Sequence, residues 1–336
     1  MAILEFPDAI SALVNQRRAL TEEEARDAMR LILQGQATEA QIAAFLVALH
    51  LKGETVDELT GCARALREAA NTPESSEPLL DTCGTGGDGA GTFNISTIAA
   101  FVVAGAGVRV AKHGNRSLSS RCGSADLLEA LGIDLEYAST TLPAAGIAFY
   151  FAPLFHGATR HVQPVRAQLK IRSIFNYLGP LTNPAGANIQ IAGAFSEAAA
   201  QLIAGTLARL DLRRGFVVHG TDGLDEVTTT GSTVAYEICE NKITKRLLSP
   251  QDFGLPVSAP AELAGGETAD HVRIAESILA GRRGPQRNVV LANAALALYA
   301  AGRASTLPEA VTQAAESIDS GRAHSKIAAL RDNQEF

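Results

Sequence analysis

The sequence predicts an α/β protein: a small all-helical N-terminal domain joined to a larger α/β domain with a mostly parallel central sheet. Three observations predict it. The first seventy residues carry helix-start signals between amphipathic stretches. A Pro- and Ser-bearing segment then breaks the pattern. Beyond it, short Val/Ile-rich runs alternate with Ala/Leu-rich stretches, the texture of strands crossing over through helices.

In the first part, Thr21 with Glu24, Thr38 with Gln41 and Thr55 with Glu58 form three capping boxes, each able to satisfy orphan N–H groups at a helix start. "AQIAAFLVALHLKG" is one of the apolar-faced segments between them. "NTPESSEPLLD" (Asn71–Asp81) reads as a linker whose end becomes a strand. "VRVA", "IAFYFA", "GFVVHG" and "STVAYEI" then read as strands. "RSIFNYLGPLTNPAGA" (Arg172–Ala187) interrupts the alternation and is expected to rejoin the helical part. The expected division is a helical domain over 1–72, joined by about 170–187, and an α/β domain over 73–169 and 188–336.

The chain has 336 residues, 46% hydrophobic and 19% charged, enough for a full core. Its formal net charge of −7 argues against bulk binding to nucleic acid or anionic membranes. Cys62, Cys83, Cys122 and Cys239 lie far apart without a CxxC, which suits reduced thiols rather than disulfides or zinc. The N-terminal stretch has early acids and no long apolar core, and "NVVLANAALALYAAG" is too short to span a bilayer. A soluble cytoplasmic protein is expected.

"DTCGTGGDGAGTFNIST" (Asp81–Thr97) holds five glycines, a composition that bares main-chain N–H groups to a ligand. Gly84 to Gly89 formally matches GxGxxG. Asp88 would repel a naked pyrophosphate, however, and Lys112 stands near the place of a ribose-binding acid. No Lys-Ser/Thr follows the last glycine, so a Walker loop does not fit either. A phosphate ligand carrying its own metal fits better, with Asn94, Ser96 and Thr97 at the start of the next helix. A glycine-rich turn with a simple helix cap is the plain alternative.

A second polar loop, "KHGNRSLSSRCGSAD" (Lys112–Asp126), follows the next strand. Two such loops at successive strand ends suit a diphosphate, because open α/β sheets bind ligands there. "HGTDGLDEVTTTG" (His219–Gly231) adds Asp222, Asp225 and Glu226, hard oxygens that suit Mg²⁺ shared with substrate phosphates. "FAPLFHGATRHVQPVRAQLKIRSIFN" offers His156, His161, Arg160, Arg166 and Arg172; a planar carboxylate acceptor would need one arginine fork, and position alone does not choose it.

Taken together, "GTGGDGAGTFNIST", "AKHGNRSLSSRCGSADLLEALG", "VRAQLKIRSIFNYLGPLTNPA" and "DGLDEVTTTG" resemble the anthranilate phosphoribosyltransferase family of tryptophan biosynthesis over nearly the whole chain. The resemblance implies a fold of the nucleoside-phosphorylase class and a homodimer contacting through the helical domain. It implies transfer from 5-phosphoribosyl 1-diphosphate to anthranilate with Mg²⁺, two ions per monomer. By motif, Gly84, Gly87, Asp88, Thr92, Asn94, Ile95, Ser96 and Thr97 would line the phosphoribosyl diphosphate site. So would Lys112, His113, Gly114, Asn115, Arg116, Ser117, Leu118, Ser119, Ser120 and Ser124. Ser96, Asp225 and Glu226 match metal positions. Gly84, Asn115 and Arg166 match anthranilate contacts, with His113 and His156 more loosely near the acceptor.

Lys112 and the metal would then stabilise the leaving diphosphate, and no general base is assigned. The chain departs from the family pattern at Gly157 and Thr159, at Lys170 and Ser173 (usually Gly and Thr), and at Ser232 (usually Pro). Two rival readings are a pyrimidine nucleoside phosphorylase-like enzyme and a catalytically silent homologue that binds nucleic acid.

Overall fold

The computed structural model describes residues 5–70, 78–117 and 121–332. Four helices open the chain: α1 (Phe6–Val14), α2 (Glu22–Leu33), α3 (Glu39–Lys52) and α4 (Val56–Ala69). All three capping boxes form, at the starts of α2, α3 and α4. The third does more than cap. Glu58 is fully buried and accepts from Leu20 N and Thr55 N, each at 2.9 Å, and from Lys52 Nζ at 2.9 Å. One carboxylate thereby ties α4 to the turn before α2 and to the end of α3. α2 and α4 cross closely at Gly61, where a Cβ would lie 2.1 Å from the Glu22 carbonyl oxygen.

The α/β part follows as β1 (Leu80–Gly84), α5 (Ile95–Gly105), β2 (Val110–Gly114), α6 (Ser124–Ala130), α7 (Leu142–Ala145) and β3 (Ile147–Phe151). Three short helices come next: α8 (Ala152–Phe155), α9 (Gln163–Leu169) and α10 (Phe175–Leu178). The chain then re-enters the sheet with β4 (Ile189–Gly193), α11 (Glu197–Arg209), β5 (Arg214–Gly220), β6 (Thr233–Cys239) and β7 (Lys242–Leu248). It ends in α12 (Thr268–Leu279), α13 (Pro285–Ala300), α14 (Leu307–Asp319) and α15 (Arg322–Asp332).

The sheet order is β3-β2-β1-β4-β5-β6-β7, parallel from β3 to β5 and antiparallel at β6 and β7. β7 was not expected from the sequence. It is an exposed edge strand carrying Lys242, Lys245 and Arg246, entered through Glu240 and Asn241, both at positive φ, as a two-residue hairpin demands. Alternate strand residues face opposite layers. Ile191, Phe216 and Val218 enter a core with α5 and α13, whereas Ala192, Val217 and Val234 enter a second core with α11 and the four-helix bundle. Val165, Ile174, Phe175, Leu178 and Leu181 share that second core, so the segment between β3 and β4 packs with the bundle. Among the described residues no helix is long and apolar enough to cross a membrane.

The topology also locates a crevice. From β1 the chain winds outward to β2 and β3, then returns to β4 on the other side of β1. Ligands of open α/β sheets bind outside the strand C-termini at such a reversal.

Replacing Glu58 by Ala orphans buried donors on two loops and removes the counter-ion of Lys52. It is expected to destabilise the protein by about 3 kcal/mol, read as a lower denaturant midpoint. Gln at the same position should cost less, because it keeps an acceptor.

Candidate active site

The crevice is filled from one loop. β5 ends at Gly220, and the turn that follows brings Asp225 over the ends of β1 and β4. The approach is possible because both strands end in glycine: a Cβ on Gly193 would lie 1.5 Å from the Asp225 carbonyl oxygen, and one on Gly84 2.8 Å from its Oδ2. Asp225 Oδ2 accepts from Gly86 N at 2.8 Å, and Glu226 Oε1 accepts from Ser96 N at 3.1 Å. The two acids therefore hold the crest of the glycine loop and the first turn of α5. Gly86 and Gly87 both have positive φ (64° and 74°), which is why the crest needs glycine.

Both carboxyls are pushed well above the usual range. Burial is the main cause, followed by Asp88 for Asp225 and by Asp225 for Glu226; the ammonium of Lys112 works the other way on Glu226. Asp225 N reaches Asp88 Oδ2 at 3.4 Å. These are crowded hard-oxygen donors, and Mg²⁺ is suited to such a set when substrate phosphates complete its shell. No three His, Cys, Asp or Glu side chains among the described residues converge as a ready-made metal centre.

Lys112 is buried, and its ammonium donates to the Thr82 carbonyl. It lies under the site as a counter-charge to Glu226 and Asp81. Asp81 is itself buried, accepting from His113 N and from Asn183 Nδ2. Asn94 makes no side-chain cap on α5; its Nδ2 donates to the Cys122 carbonyl at 3.2 Å. Thr92 forms an isolated bridge with Ala264. In the second loop, Ser124 Oγ and Ala125 N donate to the Asn115 carbonyl, and Ser117 N donates to Asp126. Gly114 sits so close that a Cβ would lie 2.2 Å from Ser124 Oγ.

Some residues of the expected set point elsewhere. Ile95 and Thr97 bury their side chains beside the α5 core, so they face the site with main chain. Arg116 spends its guanidinium on Asp126 and Glu129, over the Phe151 ring. Leu118, Ser119 and Ser120 lie outside the described residues.

On the acceptor side, Arg166 projects from α9 over the Phe175 ring at 5.2 Å. Burial lowers its pKa, and among the described residues no carboxylate pairs with it, so it is a half-buried cation suited to an anionic ligand. His113 and His156 pack ring against ring, tilted by 60°, with centroids 5.3 Å apart. His156 Nε2 donates to the Thr182 carbonyl at 2.9 Å, whereas His113 Nε2 is buried without a partner. Burial, then His156, pushes the His113 pKa down to about 3, so it is neutral and able to accept or donate one bond. Arg160 is exposed, and His161 packs against Gly35 of the bundle.

Sequence reasoning left Arg172 without a role. Its Nη2 donates to the Gly87 carbonyl at 2.6 Å, and its guanidinium lies 4.3 Å over Phe195. Phe195 N in turn donates to Thr85 Oγ1 at 3.0 Å. The acceptor segment is thus fastened to the glycine loop. The turn that aims Arg172 there is Lys170, at φ 51° in the left-handed region, where a glycine would be unstrained.

Comparison with known proteins bears on this geometry. The description "Glycosyl transferase family, a/b domain" matches residues 76–324, and "Glycosyl transferase family, helical bundle domain" matches 7–70. The anthranilate phosphoribosyltransferase of Solibacter usitatus is 56% identical over 325 residues, covering 94% of this chain and 95% of the relative. This chain belongs to the anthranilate phosphoribosyltransferase family. The family's enzyme from Thermus thermophilus superposes with a TM-score of 0.90 at 43% identity, over 96% of this chain and 99% of that one. The anthranilate phosphoribosyltransferase from Saccharomyces cerevisiae in complex with PRPP and Mg gives a TM-score of 0.90 at 28% identity, over 97% of each chain.

The raised carboxyls have a thermodynamic sign. Groups whose folded pKa lies above the unfolded value stabilise the fold below the unfolded pKa, and that stability is lost as pH rises through the folded value. The metal-free protein should therefore melt lower at about pH 9 than at about pH 6. Asp225→Asn should flatten that dependence while weakening Mg²⁺ binding. Thermal scans across pH with a chelator, then with Mg²⁺, check both halves; an equally steep fall in the variant removes Asp225 as the cause.

Proposed function

We propose that this chain transfers the phosphoribosyl group of 5-phosphoribosyl 1-diphosphate to the amine of anthranilate, releasing diphosphate, as a step of tryptophan biosynthesis. One observation carries the reading: Asp225 and Glu226 accept from Gly86 N and Ser96 N, so metal-type oxygens, the glycine loop and the α5 terminus meet in one crevice. Gly84, Gly87, Asp88, Thr92, the main chain over 94–97 and the loop from Gly114 to Ser124 would surround the phosphoribosyl diphosphate. Ser96, Asp225 and Glu226 would hold Mg²⁺, two ions per monomer. Bound there, Mg²⁺ would supply positive charge against the diphosphate.

The remaining work belongs to the chain. Charge grows on the diphosphate as the anomeric C–O bond breaks, and the ribose takes oxocarbenium character. Fixed N–H groups of the glycine loop and the α5 terminus face that charge without reorganising. Lys112 acts from below, offsetting Glu226 and Asp81 rather than reaching out as a free point charge. Arg166 and Asn115 would clasp the acceptor carboxylate and bring the aromatic amine into line. An aniline nitrogen attacks as a neutral nucleophile and loses its proton afterwards, so no strong base is required. Neutral His113, with its unpartnered Nε2, and His156 line the acceptor side.

The same reading takes residues 1–72 with about 170–187 as the helical domain, supported by their shared core, and 73–169 with 188–336 as the α/β domain. It takes a homodimer through the helical domain, supported by exposed Leu51 and Val14 on bundle helices. A cytoplasmic location suits four free cysteines, three of them buried.

Loss of anthranilate fluorescence on adding 5-phosphoribosyl 1-diphosphate and Mg²⁺ tests the reaction. The loss should need both additions and stop with a chelator; saturating substrates without any loss would overturn the proposal. Arg166→Ala should raise the acceptor KM about tenfold or more, the worth of a charge-assisted bond. The KM for the diphosphate sugar should move little, and equal damage to both constants would count against this placement of the acceptor.

A further inference from the structure

Asn94 stands at the N-cap of α5, where an Asn side-chain oxygen ordinarily accepts from an N–H of the first turn. Here it does not. Its Oδ1 is taken by His271 Nδ1, from a helix some 177 residues downstream in sequence. The tautomer follows from the neighbours. Gly266 N donates to His271 Nε2 at 3.3 Å, so Nε2 is the acceptor, the proton is on Nδ1, and Nδ1–H donates to Asn94 Oδ1. The other end of the Asn94 amide donates to the Cys122 carbonyl in the second polar loop. One side chain therefore joins the glycine loop to the loop after β2, and a buried imidazole sets its direction.

The segment before α12 is shaped to present that imidazole. Ala264 bridges Thr92, and Gly265 N donates to the Gly91 carbonyl at 2.9 Å. A Cβ on Gly265 would lie 2.7 Å from His271 Nε2 and 2.9 Å from the Thr92 backbone, so the strap lies flush on the glycine loop only as glycine. None of these residues of the strap or of α12 falls in the four sequence motifs.

We propose that His271 is a positioning residue: it withholds Asn94 from capping α5, keeping Thr97 N, the first-turn amide not given to Phe93 or Glu226, turned to the diphosphate and both loops in register. The proposal rests on the reading of the crevice as a diphosphate site. Without His271, the freed Asn94 oxygen turns to Thr97 N and closes the anion site from within. The helix gains a cap while the ligand loses donors, so affinity and stability part company.

The test compares His271→Ala with His271→Asn, whose amide can still donate from near the Nδ1 position. In two-substrate kinetics, His271→Ala should raise the KM for 5-phosphoribosyl 1-diphosphate about tenfold, with the anthranilate KM and the melting temperature little changed. His271→Asn should return to within about threefold of wild type. Amide hydrogen exchange of the free proteins should slow at the start of α5 and quicken over 121–124 in the Ala variant alone. Unchanged KM and exchange in His271→Ala would sink the proposal, as would equal losses in both variants with lowered melting temperatures, the mark of mere packing. If the wild type fails to consume anthranilate, the functional reading has failed, and the exchange comparison still decides whether His271 holds Asn94.

Discussion

The arrangement depends on one steric permission: the ends of β1 and β4 carry no side chains, so the Asp225 main chain can lie across them. Everything else at the crevice is referred to that contact. Asp225 fixes the crest of the glycine loop through Gly86 N, its neighbour Glu226 fixes the first turn of α5 through Ser96 N, and Asp88 is drawn in beside them. Gly193 is the tighter of the two permissions, because its neighbour is backbone and cannot swing away as the Asp225 carboxylate could at Gly84.

This concentration of acids is costly in an empty crevice and useful in a filled one. Beyond burial, Asp88 raises the pKa of Asp225 and Asp225 that of Glu226, so the site carries repulsion that a cation would relieve. Lys112 offsets part of it from below, yet its ammonium is committed to the Thr82 carbonyl and serves Asp81 as well as Glu226. The rest of the relief has to come with the ligand, which ties metal and diphosphate binding together electrostatically.

The layered fold was legible because its signals are local: the Thr boxes, the linker, and the switch from helical to strand periodicity. β7 was hidden because basic and apolar side chains mix along a mostly solvent-facing strand, and because Glu240-Asn241 makes the hairpin turn without a glycine. The glycine loop and the acids declared themselves through composition, but the residues that aim them did not. Gly193 looks like any strand-end glycine until Asp225 is seen above it. His271 sits on an ordinary amphipathic helix, and its role needs a contact 177 residues away. Arg172 was one arginine among three until Gly87 and Phe195 singled it out. Chemistry that resides in residue type is readable from a sequence, whereas chemistry that resides in direction is not.

The two halves of the crevice are built on different bodies, and this explains where the connecting bonds fall. Asp225, Glu226 and the glycine loop rise from strand ends, whereas Arg166 stands on α9, in the segment whose apolar residues pack with the bundle. A reaction between two bound substrates requires these bodies to keep a common frame. Arg172 supplies one bond across the gap, from the acceptor segment to the Gly87 carbonyl, and Lys170 accepts a left-handed conformation to aim it. The strain at Lys170 is of order 1 kcal/mol, less than the roughly 1.5–3 kcal/mol of a hydrogen bond from a charged donor. The bond and the Phe195 contact together outweigh that strain and hold the two bodies in register.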